Sequence, residues 1–125
     1  MLIAWRHNKF KIGEPMEISA IVTQDEALIV LQGRLDAATS PLLAEQVKSV
    51  LSNGQVSLIL DMQQISYISS AGLRIVLMTA KQVKAIKGHF AVFGLSASVR
   101  EVFDISGFSK IIQVEADHAA AKQPR

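Results

Sequence analysis

Apolar residues recur along this chain with two different periods, and the changes between them mark out elements. From residue 17, "EISAIVT" and then "ALIVLQG" read as strands, separated by the polar "QDE", a spacing that predicts an antiparallel hairpin closed off by Gly33. Ser40 followed by Pro41 signals a helix start, with Leu43, Val47, Val50 and Leu51 on one face and Asn53-Gly54 as the stop. "VSLILD" is apolar nearly throughout, as expected of a central strand covered on both sides, with Asp61 closing it and "MQQISYI" as a linker. Leu73, Val76, Leu77, Ala80 and Val83 then repeat at spacings of three and four, which predicts a helix over 71–87 capped by Gly88. "HFAVFGL" is a further strand, Ser96 caps a short helix with Val99, Val102 and Phe103 inward, Ser106-Gly107 breaks it, and "KIIQV" is the last strand.

An initial hairpin followed by alternating helices and strands requires parallel crossovers, so the expected class is α/β, a mixed sheet of four to five strands with flanking helices in a single domain. With 125 residues, half of them hydrophobic, the chain is long enough for one core and short for two. Residues 1–15 end in Gly13 and Pro15 without a sustained period and are expected to be an N-terminal extension, flexible or non-native; 16–116 form the domain; 117–125 are expected to be a flexible tail.

Charge narrows the partners. The pI of about 9.1 is set mainly at the ends. Arg6, Lys9 and Lys11 against Glu14 leave the first fifteen residues at +2, and residues 16–117 carry eight basic against ten acidic side chains. No cationic face suited to a phosphate backbone is indicated, so nucleic acid is not an expected partner. "ALIVL" and "IVLM" fall far short of the roughly 20 apolar residues of a membrane span, and "MLIAW" lacks the features of an export signal. With no cysteine in the sequence, nothing ties the chain to an oxidising compartment, and the expected location is the cytoplasm.

Signatures of catalysis are missing. His7, His89 and His118 have no local metal-site spacing, and no cofactor or metal is expected. No G-x-S-x-G elbow surrounds a serine, no glycine run cradles a phosphate, and Asp36, Asp61 and Asp104 sit at element boundaries where turn and capping roles are the default. The chain is not expected to be an enzyme. What stands out is "QISYISSAGLRIVLM", where Ser69 and Ser70 stand side by side at the start of a helix. One of them is expected to be its N-cap. A helix N-terminus also tolerates a phosphate, which would bring roughly −1.5 to −2 charge to a nearly neutral surface. Arg74, Met78 and Lys81, at spacings of four and three, would lie on the exposed side of that helix.

These stretches have a likeness. The order "GRLDAATSPLLAEQV", "LILDMQQISYISSAGLRIVL", "AVFGLSASVREVFDISGF" and "KIIQVE", over residues 16–116, resembles the anti-sigma factor antagonists, small bacterial proteins made of one STAS domain. The resemblance implies the STAS-like mixed sheet and a role in partner switching. An anti-sigma factor that is also a serine kinase would be bound by the unmodified protein and released when it phosphorylates it, and a PP2C-type phosphatase would reverse the modification. In the family's Asp-Ser-Ser-Gly-Leu motif the phosphate acceptor stands two residues before the glycine, which is Ser70 here. Ser69 occupies the usual Asp position and is a second candidate acceptor; Ala71 occupies that of the second Ser. Gly72 and Leu73 match, and Asp36 matches a "G-x-L-D" turn implied to be part of the docking surface. The partner-binding set expected on this basis is Asp36, Ser69, Ala71, Gly72, Arg74, Met78 and Lys81. The alternative is an accessory STAS subunit of a membrane transport complex, in which the same helix would be a permanent interface and the serines only caps.

Overall fold

The computed structural model describes the backbone of residues 2–9 and 16–125 and the side chains of 17–125. Among the described residues six strands form one sheet in sequence order: β1 (Leu2–Lys9), β2 (Met16–Thr23), β3 (Ala27–Leu35), β4 (Ser57–Ile68), β5 (His89–Phe93) and β6 (Gln113–Glu115). β1, β2 and β3 pair antiparallel, while β3, β4, β5 and β6 pair parallel. Helices α1 (Ser40–Ser52), α2 (Ser70–Ala85) and α3 (Ala97–Ser106) make the three crossovers, and a short α4 (His118–Ala121) follows β6. Right-handed crossovers that all step the same way along a sheet must leave their helices on one face. The main core accordingly joins Leu43 and Val47 of α1, Val76 and Val83 of α2, and Val99 and Phe103 of α3 to Ile29, Leu58, Leu60 and Val92 of the strands. The mixed α/β class with flanking helices is as the sequence predicts. None of the helices among the described residues is long and apolar enough to cross a membrane.

Several boundaries differ from expectation, each for a local reason. Within the extension expected over 1–15, residues 2–9 are a sixth, edge strand that pairs along β2 from Leu2 opposite Thr23 to Lys9 opposite Glu17, so this part is ordered backbone in the sheet; residues 1 and 10–15 lie outside the described residues. β3 does not end at Gly33 but passes through it, with Gly33 at φ 113° where the β3–β4 register shifts. β4 does not end at Asp61; "MQQISYI" is strand. Its buried positions change there from the close set Leu58, Ile59 and Leu60 to Met62, Ile65 and Ile68, three residues apart. Two register shifts against β3 produce that spacing and hide the strand from a period-two search. The N-cap of α1 is Thr39 rather than Ser40, whose hydroxyl instead donates to Asp36 O at 2.5 Å.

The C-terminus of α2 also departs from expectation. Gly88 is not its left-handed cap: Lys87 holds that conformation at φ 58°, with Lys87 N–H donating to Lys84 O and Gly88 N–H to Val83 O, both at 2.9 Å. Gly88 is needed for another reason, since a Cβ there would stand 2.1 Å from Val56 O. Left-handed backbone costs a side-chain-bearing residue about 1 kcal/mol, so Lys87→Gly is expected to raise stability by roughly 0.5–1 kcal/mol in chemical denaturation. A loss of stability would show that the Lys87 side chain contributes more than its backbone costs.

The tail expected to be flexible is docked on the opposite face of the sheet. Ala121 is buried against Ile59, Ala91 and Phe93, the His118 ring stacks on Phe93 at 5.6 Å, and His118 Nε2 lies 2.7 Å from Glu26 Oε2. Asp117 Oδ1 caps α4 by accepting Ala120 N–H at 2.9 Å. A stripe of three alanines next to a histidine reads as weak in sequence, but it fits a sheet face already apolar at Ile59 and Phe93.

Candidate functional site

The C-terminal ends of the parallel strands β3 and β4 place Arg34 beside Tyr67 and Leu35 beside Ile68. Ser69 N–H donates to Leu35 O at 3.0 Å, so the chain is still tied to β3 when it turns into α2. Ser69 is the N-cap: its backbone is extended, at φ −96° and ψ 176°, and its Oγ accepts Gly72 N–H at 3.2 Å. Ser70 is then the first helical residue. It is exposed, and its hydroxyl makes no hydrogen bond among the described residues. The two adjacent serines therefore have different surroundings: one hydroxyl is used by the fold and the other is free.

Gly72 makes this junction possible. It is buried, and a Cβ there would meet Leu35 O at 2.5 Å and Ile68 Cγ1 at 2.9 Å. Its place in the motif is thus set by the close approach of α2 to β3, and it offers no surface of its own for a partner. Behind it Val76, Thr79 and Val83 face the core, and Thr79 Oγ1 donates to Ile75 O at 2.8 Å. The opposite side of α2 presents Arg74, Met78, 49% exposed, and Lys81 in one stripe, with half-buried Ala71 near its start. The structure therefore brings Ser70, Arg74, Met78 and Lys81 onto a single accessible face, as their spacing predicts.

Asp36 reaches the same end of the sheet from the β3–α1 turn. Its Oδ1 accepts Ala38 N–H at 3.0 Å and Thr39 N–H at 3.2 Å, while buried Thr39 accepts Asp36 N–H at 2.9 Å and donates to Arg34 O at 2.7 Å. This fixes the carboxylate in the turn. Its other oxygen, Oδ2, is 3.7 Å from Arg34 Nε, and the Arg34 guanidinium carbon lies 4.2 Å over the Tyr67 ring, itself 42% exposed. Tyr67, Arg34 and Asp36 thus form a connected strip next to Ser69. Sequence reasoning missed Arg34 and Tyr67. The signal available was the chain's single tyrosine, two residues before Ser69, but its pairing with Arg34 depends on a parallel register shifted by bulges.

Among the described residues no histidine lies near either serine. His89 sits at the start of β5 opposite Ser57, a full length of β4 from Ser69 and on the order of 40 Å away by strand rise, too far to act as a base for either serine. Its Nε2 is 2.7 Å from Ala121 O. Among the described residues no group of three His, Cys, Asp or Glu side chains is placed to hold a metal ion. Asp104 has a structural setting at the end of α3. The Ser109 hydroxyl, together with nearby Arg100, holds its carboxyl below the usual range.

Comparison with known proteins identifies the family and the fold. The family model described as the STAS domain matches residues 17–121. BtrV of Bordetella bronchiseptica, whose name assigns it provisionally as an anti-sigma factor antagonist, is 40% identical over 91 residues, 73% of this chain and 78% of that protein. The anti-sigma-B factor antagonist of Bacillus subtilis is 30% identical over 103 residues, covering 81% and 94%. The solved structure of the anti-sigma factor antagonist SpoIIAA in its unphosphorylated form superposes with a TM-score of 0.70 at 22% identity, over 94% of this chain and 92% of that one.

Proposed function

Since this chain belongs to the STAS-domain family of anti-sigma factor antagonists, we propose that it is a cytoplasmic partner-switching regulator that binds an anti-sigma factor and frees that factor's target. The partner doubles as a serine kinase, transfers phosphate to Ser70 and is thereby released; a PP2C-type phosphatase restores the binding form. The protein acts by occupying a surface rather than by catalysis. The observation that carries this reading is the division of labour between the two serines: Ser69 caps α2, while Ser70 is exposed and unbonded on the face that bears Arg74 and Met78. A phosphate on Ser70 would alter that face while the core side of α2 stays packed. Further support comes from relatives named as anti-sigma factor antagonists.

The test is co-purification from the source organism with and without prior phosphatase treatment. The expected result is an anti-sigma factor with serine kinase activity, retained at least several-fold better by the dephosphorylated chain. Recovery of a permease or transport ATPase, indifferent to phosphatase, would instead identify an accessory subunit of a transport complex.

A further inference from the structure

On the reading of Ser70 as the modified residue, we infer that Arg74 is the internal partner of its phosphate, so that modification withdraws a cation from the docking face as well as adding an anion. Arg74 stands four residues after Ser70 in α2. Side chains on a helix lean toward its N-terminus, and long ones cover the residue one turn earlier, so the i,i+4 spacing puts a group on Ser70 within reach of the Arg74 guanidinium. Of the four arginines whose side chains are described, Arg34, Arg100 and Arg125 each lie beside a carboxylate, at 3.7, 3.3 and 3.1 Å. Arg74 is exposed and has no ion pair or hydrogen bond among the described residues.

No local carboxylate of the helix competes for it. The first turn of α2 has no acidic side chain, its cap is the neutral Ser69 hydroxyl, and the charged residues of the whole helix are Arg74, Lys81 and Lys84. In the unmodified chain Arg74, Met78 and Lys81 form a cationic stripe around an apolar side chain, complementary to an acidic partner surface with a seat for the methionine. A phosphoserine at position 70 would present three acceptor oxygens to the guanidinium fork, a geometry arginine binds bidentately. The partner's acidic groups would then meet an occupied arginine and a net negative helix start.

The full-length chain carrying phosphoserine at position 70, installed during synthesis through an expanded genetic code, tests this by ³¹P NMR titration at low ionic strength. The phosphate midpoint is expected below its ordinary value of about 6, and Arg74→Gln is expected to raise it by about 0.4 unit, a two- to threefold change in proton affinity of the size exposed ion pairs give. Lys81→Gln, nearly two turns further along, should move it by less than half as much. Equal midpoints with and without Arg74, or an equal effect from Lys81, would overturn the inference. Because no kinase is needed, that outcome is separate from failure of the functional reading, which would show as a kinase that leaves Ser70 unmodified.

Discussion

Ser70→Ala is expected to abolish phosphate transfer from the partner kinase, while Ser69→Ala leaves it in place and lowers stability instead. The opposite signs follow from the surroundings of the two hydroxyls. Ser70 is exposed, and its hydroxyl makes no hydrogen bond among the described residues, so removing the oxygen should change stability by no more than about 0.5 kcal/mol. Ser69 Oγ accepts the Gly72 N–H at 3.2 Å, and losing an N-cap of this kind costs about 1 kcal/mol. Intact-mass spectrometry after incubation with kinase and ATP, together with denaturation midpoints, reads both effects. Phosphate retained by Ser70→Ala and lost by Ser69→Ala would move the acceptor to Ser69. Ser70→Asp extends the test to binding: one carboxylate on this face is expected to weaken kinase affinity several-fold while Ser70→Ala leaves it close to wild type, and equal affinities in a titration would mean that charge is not the switch.

The largest loss of stability is expected at Gly72. In Gly72→Ala the new methyl carbon would stand 2.5 Å from Leu35 O, a backbone atom already engaged by Ser69 N–H, and within 3.0 Å of two buried side-chain carbons. Neither strand nor helix can yield without breaking that bond. Overpacking of this kind costs about 1–3 kcal/mol, set against a gain of roughly 1 kcal/mol from alanine's helix propensity where it is not cancelled by strain. A net loss of about 1–2 kcal/mol, or roughly 3–10 °C in a thermal melt, is the expected outcome. The variant should also bind its partner poorly, through the displaced start of α2 rather than through a lost contact. A wild-type melting curve would mean that the junction has more room than the structure gives it.

The elements that a chain builds from its own neighbours were legible in advance. The amphipathic helices at 40–52 and 70–85, the β2–β3 hairpin, Ser96 as the cap of α3 and Gly107 at its left-handed end all rest on interactions spanning a few residues. So did the accessible stripe of Ser70, Arg74, Met78 and Lys81, because helical spacing alone puts those positions on one side. Which serine caps was not legible: either could start the helix until the bond from Ser69 N–H to Leu35 O fixed where the strand ends.

Other features answered to distant partners. The second half of β4 is a strand because a bulged β3 runs beside it, and its alternation is scrambled by the same bulges. The alanine-rich tail is ordered because Ile59, Ala91 and Phe93 leave an apolar strip on the uncovered face of the sheet, and its histidine finds Glu26 at the start of β3. Arg34 and Tyr67 become neighbours through pairing across 33 positions of sequence. For this protein, then, the sequence by itself determined the α/β order, the free and presented face of α2 and the serine motif at its start, since these depend on local periodicity and capping. The tertiary structure decided that Ser69 serves the fold and leaves Ser70 free, that Gly72 is there for closeness rather than contact, and that Arg34 and Tyr67 flank the site, because each depends on where β3 lies against β4 and α2.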